Sequence, residues 1–70
     1  MTVCLDHHEG NGKYVNIKIT EGYGSCIYVV TVYPVFEGYI GRPEREKMYP
    51  MSEKKKALAT YKRYIKKYCE

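Results

Sequence analysis

Seventy residues make one domain, and at that length folding removes only about 60% of the unfolded chain's surface from water, so the core is thin. Lysine and arginine outnumber the acids twelve to eight, and nine tyrosines stand beside one phenylalanine and no tryptophan. The longest near-apolar run, Cys26 to Phe36, ends far short of the ~20 residues a membrane-spanning helix needs.

Thr2 to Leu5 (TVCL) reads as a short strand, and Gly10-Asn11-Gly12 as a three-residue turn that folds it back, with Leu5 opposite Ile17 and Val3 opposite Ile19. Lys13 to Thr20 alternates, placing Val15, Ile17 and Ile19 on one face and Tyr14, Asn16, Lys18 and Thr20 on the other. Ser25 to Tyr33 is rich in β-branched and aromatic residues, the composition of a second strand. A turn at Gly22-Tyr23, with Gly22 at positive φ, would set Ile19 opposite Cys26, Ile17 opposite Tyr28 and Val15 opposite Val30. One face of that hairpin is apolar throughout.

Residues 34–51 hold three prolines and two glycines and read as a loop, with an edge strand near Glu46 to Tyr49. Ser52 is a candidate helix cap, followed by Glu53 at the positive end of the helix dipole. From there Ala57, Leu58, Tyr61, Tyr64, Ile65, Tyr68 and Cys69 keep helical spacing and fill an arc of about 140°. The expected fold is α+β: one domain over residues 1–70, with a β-meander over 1–33, the loop over 34–51 and one C-terminal amphipathic helix over 52–69. The sheet would have about three antiparallel strands, with the helix across one face.

The charge is uneven. Residues 1–51 carry five cations against six acids, residues 52–70 seven cations against two. Lys54, Lys55 and Lys56 open the helix against its dipole, each at a cost of about 0.3–1 kcal/mol before screening. Lys62–Lys66 and Arg63–Lys67 are like-charge pairs four residues apart, repulsive by a few tenths of a kcal/mol (roughly) each. A helix shaped by stability alone would interleave glutamates here. The bland account is a solubilising face; the functional one is a contact with phosphates or an acidic protein surface through Lys55, Lys62, Arg63, Lys66 and Lys67.

A second surface follows from the sheet. One helix covers one side, whereas Tyr14, Lys18, Ile27, Val29 and Tyr33 fall on the other beside Thr31. Left bare, that face would be adhesive. Either the 34–51 loop folds over it or another molecule does, a second copy of the chain among the candidates.

Little here serves catalysis. Cys4, His7, His8 and Glu9 cluster in sequence, but zinc commonly takes two spaced ligand pairs, and adjacent histidines on a strand point to opposite faces. Cys26 and Cys69 fall on predicted core faces, where a thiol is an inert small hydrophobe. No phosphate-cradling glycine pattern leads into a helix. The reading is a non-enzyme without metal or cofactor. Three cysteines with no C-x-x-C spacing and no leader before them point to a reduced, cytoplasmic compartment. The tyrosine-rich inner face of the helix is needed by the sheet, which argues against a membrane-surface helix.

The segment IGRPEREKMYPMSEKKKALATYKRYIKKY, following a Tyr/Val strand, resembles the end of small accessory proteins of bacterial phages and mobile elements. The order of a short sheet, a Tyr-Pro-x-Ser entry and a helix with Ala-x-x-x-Tyr spacing is similar to the three-strand-plus-helix DNA-binding domains of AP2 type and of integrase arms. That resemblance implies a sheet lying in the major groove, with Tyr14, Asn16, Lys18 and Thr31 as the outward candidates. The chain also resembles, in size and character, phage-encoded inhibitors of defence nucleases of the anti-CRISPR kind, which are small non-catalytic binding domains. The two resemblances give the expected partners: nucleic acid, or a nucleic-acid-associated protein offering an acidic surface.

Overall fold

The structure is a computed structural model that describes every residue except Met1 and Tyr23. It is an α+β fold: an antiparallel sheet of five strands with one C-terminal helix across one face. The strands are β1 (Thr2–Gly10), β2 (Lys13–Gly22), β3 (Ser25–Phe36), β4 (Tyr39–Ile40) and β5 (Arg45–Pro50). β3 is central, with β2 and then β1 on one edge and both β4 and β5 on the other. A 3-10 turn (Met51–Glu53) leads into α1 (Lys54–Tyr64), which ends in a π-helical turn (Ile65–Cys69).

The β2–β3 hairpin holds the core, in a register two residues away from the one the sequence suggested. Gly22 pairs with Ser25, so Ile19 faces Tyr28, Ile17 faces Val30 and Val15 faces Val32. Gly24, and not Gly22, takes the positive φ, at 81°; Tyr23, the other residue of the anticipated turn, lies outside the described residues. Side chains on a strand repeat every two residues, so this slip leaves every side chain on its expected face.

β1 is longer than expected and joins β2 through a two-residue turn. Asn11 and Gly12 have φ of 52° and 74°, the pair of positive values a type I′ hairpin requires. Val3 faces Ile19 as anticipated, but Leu5 does not face Ile17. The register shifts between Cys4 and Asp6, and Asp6 takes the place opposite Ile17. A bulge of this kind absorbs the difference between a two- and a three-residue turn.

Residues 34–51, expected as a loop, are mostly strand, with only 41–44 irregular between β4 and β5. β3 continues through Pro34 to Phe36, turns at Glu37-Gly38 (φ of 50° and 83°) and returns as β4. The Pro34 carbonyl accepts from Gly41 N–H at 2.9 Å. A strand residue's N–H and C=O point to the same side, so the donor that proline lacks would have faced the interruption between β4 and β5. The anticipated edge strand is β5, paired along β3 from Val32 to Ile27. It widens the sheet and does not fold over the outer face.

The helix covers the inner face. Val15, Ile17, Val30, Val32 and Ala57 are fully buried, closed by Tyr28, Tyr61 and Tyr64, with Leu58, Ile65 and Tyr68 packed at the rim. Thr60 joins the buried arc, and its hydroxyl shares a hydrogen bond with the Tyr49 hydroxyl on β5. Ser52 makes no capping bond; it lies within the 3-10 turn. Cys69 is buried, whereas Cys26 is exposed because it lies on β3 beyond the span that β5 and the helix cover. Continued as a regular α-helix, Cys69 would stand about 120° round from Ala57. The π-turn packs more residues into its turn, holds back that rotation and brings the thiol onto the sheet. There it donates to the carbonyls of His8 and Lys13, at 3.9 and 3.7 Å.

Candidate functional site

The cations of the helix form two stripes. Lys55, Lys62 and Lys66 follow one another at helical spacing along the back, and Lys56, Arg63 and Lys67 along the flank toward β5; all six are exposed. The flank is fixed by Thr60, which bonds to Tyr49 on β5 and accepts from Arg63 Nη2 at 3.4 Å. Lys67 Nζ lies 5.4 Å from the Tyr68 ring centroid, a cation–π contact that leaves its charge available. Lys56 pairs with Glu53 at 3.6 Å. Among the described residues no carboxylate pairs with Lys55, Lys62, Arg63, Lys66 or Lys67. The opening turns of α1 supply no acid to offset them.

Two further cations join that flank. Tyr49, Lys47 and Arg45 pair with Tyr28, Val30 and Val32, so alternation places Lys47 and Arg45 on the helix side of the sheet. Glu46 pairs with Thr31 and points the other way, where its carboxylate accepts weakly from the Thr31 hydroxyl at 3.5 Å. Glu44 is bound by Lys13. In the sequence the stretch Glu44 to Lys47 looks electrically mixed. Only the β3–β5 register sorts its signs onto two faces.

The outer face is less available than its composition suggests. Val29 is 3% exposed and Thr31 fully buried, although no helix or strand lies over them. Each is flanked in the sheet by longer side chains: Val29 by Lys18 and Met48, Thr31 by Asn16 and Glu46. Tyr14, Lys18, Ile27 and Tyr33 are half-buried. Tyr14 stacks on His7 with ring centroids 5.6 Å apart and meets Tyr33 at 5.9 Å. Lys18 Nζ reaches the Tyr33 hydroxyl at 3.4 Å. The face is a cross-linked polar-aromatic surface with a little apolar area at Ile27 and Met48.

The cysteine–histidine segment lies along β1 and is divided by it. Cys4, His7 and Glu9 pair with Lys18, Asn16 and Tyr14 on the outer side, and His8 pairs with Val15 on the inner side. Among the described residues no three His, Cys, Asp or Glu side chains gather where one metal ion could sit. Burial raises the Cys69 thiol above its ordinary pKa, which disfavours the thiolate a nucleophile needs. Burial, followed by the Asp6 carboxylate beside it, pushes the Tyr61 hydroxyl up to about 12.

Among the described residues the strongest apolar exposure is at the β3–β4 hairpin, which sequence reasoning missed. Phe36 and Tyr39 face each other across the turn and are 70% and 78% exposed. Among the described residues no helix is long and apolar enough to cross a membrane. No family model matches the chain, and no curated protein or solved structure is detectably similar to it.

Proposed function

We propose that the chain is a small non-catalytic binding protein whose helix contacts nucleic-acid phosphates. The observation that carries this is the row Lys55, Lys62, Arg63, Lys66 and Lys67, exposed and without a carboxylate partner among the described residues, on a helix whose other side is committed to the core. Cations held in like-charge rows cost stability, and a polyanion that releases its counterions on binding is the ligand such a row favours. Phosphate contacts position a protein without reading bases, so affinity without strong sequence choice is expected.

The test is fluorescence anisotropy of labelled DNA and RNA at several salt concentrations. On duplex DNA the log–log slope should be about −0.9 for each phosphate neutralised. Lys62→Glu/Arg63→Glu/Lys66→Glu, checked for folding by circular dichroism, should abolish binding. An absence of binding at low salt would sink the reading.

The second reading is an inhibitor or adaptor of the phage and mobile-element kind, with the same cations on an acidic protein surface. The apolar spot on the outer face favours it, because Met48 is 59% exposed beside the half-buried Ile27. That face would then meet the target or a second copy of this chain. Binding centred on that face should vary little with salt. The cations would make contact salt-dependent with either partner, so direct binding of nucleic acid is what separates the two readings.

A further inference from the structure

The helix stripe through Arg63 and Lys67 does not stand alone. Arg45 and Lys47 lie across from it on the helix side of β5, so a seam between helix and edge strand carries cations on both banks. Two acids beside it are turned away or occupied: Glu46 points to the opposite face and Glu44 is bound by Lys13. Glu37 stays exposed at the hairpin turn and Glu70 at the end of the helix. At one end the seam meets the β3–β4 hairpin. Pro34 pairs with Lys13, whose carbonyl accepts from the Cys69 thiol, so hairpin and last helical turn share one end of the sheet. Alternation from Val32 through Pro34 puts Phe36, and Tyr39 opposite it, on the helix side as well.

The hairpin itself is preorganised. Glu37 and Gly38 both have positive φ, which makes a type I′ turn, and the Gly41 N–H to Pro34 carbonyl bond closes its base. The chain's one phenylalanine thus stands on an exposed hairpin of defined turn geometry, and the core is built mainly from valine, isoleucine and tyrosine instead. Flat rings on a fixed support beside a cationic track are what an unpaired nucleotide strand requires. Phosphates follow the charges, and bases offer π-faces to the rings. A duplex stacks its bases internally and cannot use the rings in this way.

Resting on the phosphate-binding reading above, we propose that the seam between the helix and β5 is the path of a single-stranded nucleic acid. Arg45, Lys47, Arg63 and Lys67 contact its backbone, and Phe36 and Tyr39 stack on its bases. The experiment compares a labelled single-stranded DNA or RNA oligonucleotide with a duplex of equal length at one fixed low salt. Proteins compared are wild type, Phe36→Ala/Tyr39→Ala, Phe36→Trp/Tyr39→Trp, and the helix charge reversal Lys62→Glu/Arg63→Glu/Lys66→Glu. Both rings are exposed, so the hairpin variants keep the fold, which circular dichroism verifies.

The wild type should prefer the single strand. The alanine pair should weaken that binding about ten-fold or more while leaving duplex binding unchanged, and the tryptophan pair should retain it. Single-strand binding that ignores the alanine pair, or a duplex bound more tightly than the single strand, overturns this inference and leaves the phosphate reading standing. If neither nucleic acid binds, both fall, and the hairpin becomes a protein contact.

Discussion

Tyr61 joins the core to an acid. Its ring is buried under the helix, and its hydroxyl lies by Asp6, which the β1 bulge turned inward opposite Ile17. Asp6 is anchored in turn, since its Oδ1 accepts from His7 N–H at 2.8 Å. Burial first and the carboxylate second hold the phenol protonated to about pH 12. The unfolded chain releases that proton near pH 10, so between those values the folded state binds more protons and stability falls as pH rises. The contribution is fully present below about pH 10 and is on the order of 2 kcal/mol. Urea unfolding at pH 8 and pH 11.5 should therefore show a smaller alkaline loss for Tyr61→Phe than for wild type. An equal loss in both would show that Tyr61 is not the group responsible. A tighter constraint sits at Gly10, where an added Cβ would come within 2.6 Å of the Cys69 carbonyl oxygen. Gly10→Ala should cost about 1–3 kcal/mol by forcing the π-turn off β1, read as a lowered midpoint in the same unfolding assay. A midpoint equal to wild type would mean that the π-turn yields freely.

At the scale of elements, β5 joins the rest of the fold through one β-ladder, the weak Thr31–Glu46 bond, the packing of Tyr49 on the core and the Tyr49–Thr60 hydroxyl pair. Tyr49→Phe leaves the ring and removes the bond, at about 1 kcal/mol. Hydrogen exchange should speed up in β5 amides and stay unchanged in β2. Uniform acceleration would instead mean that β5 opens only with the whole molecule. The elements themselves were unevenly legible in the sequence. β2 and β3 declared their inner faces because alternation survives a two-residue slip, whereas their register did not, because Gly22 and Gly24 both offer a turn. β4 has two residues, too few for any periodicity, and Pro34 looked like a stop although its missing donor faces a gap. The helix was readable from Ala57 to Tyr68; the π-turn was not, since it goes with a tertiary contact, Cys69 seated against the carbonyls of His8 and Lys13, that helical periodicity does not carry. The candidate site divided in the same way. The helix cations were visible as a run of one sign, but Arg45 and Lys47 became part of the surface only through pairing with Val32 and Val30.

Across the whole molecule, the basic surface sets stability against binding. Lys62 and Lys66 repel one turn apart, and Lys55 lies near the positive end of the helix dipole with no carboxylate partner among the described residues. Lys62→Glu would convert the repulsive pair into an acid four residues before a lysine, the favoured orientation for an ion pair. Lys55→Glu would place an acid where the dipole welcomes it. Together they should raise stability by about 1 kcal/mol at low ionic strength, a gain that shrinks as salt screens the charges. If the helix face binds phosphates, the same double variant should lose affinity for nucleic acid, because two contacts have changed sign. A protein that becomes more stable and binds less is the signature of a surface kept for function at a structural cost. Thermal melts in 20 mM and 500 mM salt, run beside the anisotropy titration, read both quantities. Higher stability with undiminished binding would assign the lysines to solubility and move the functional surface to the hairpin and the outer face. Lower stability would show that the repulsion inferred from their spacing is already relieved in the folded chain.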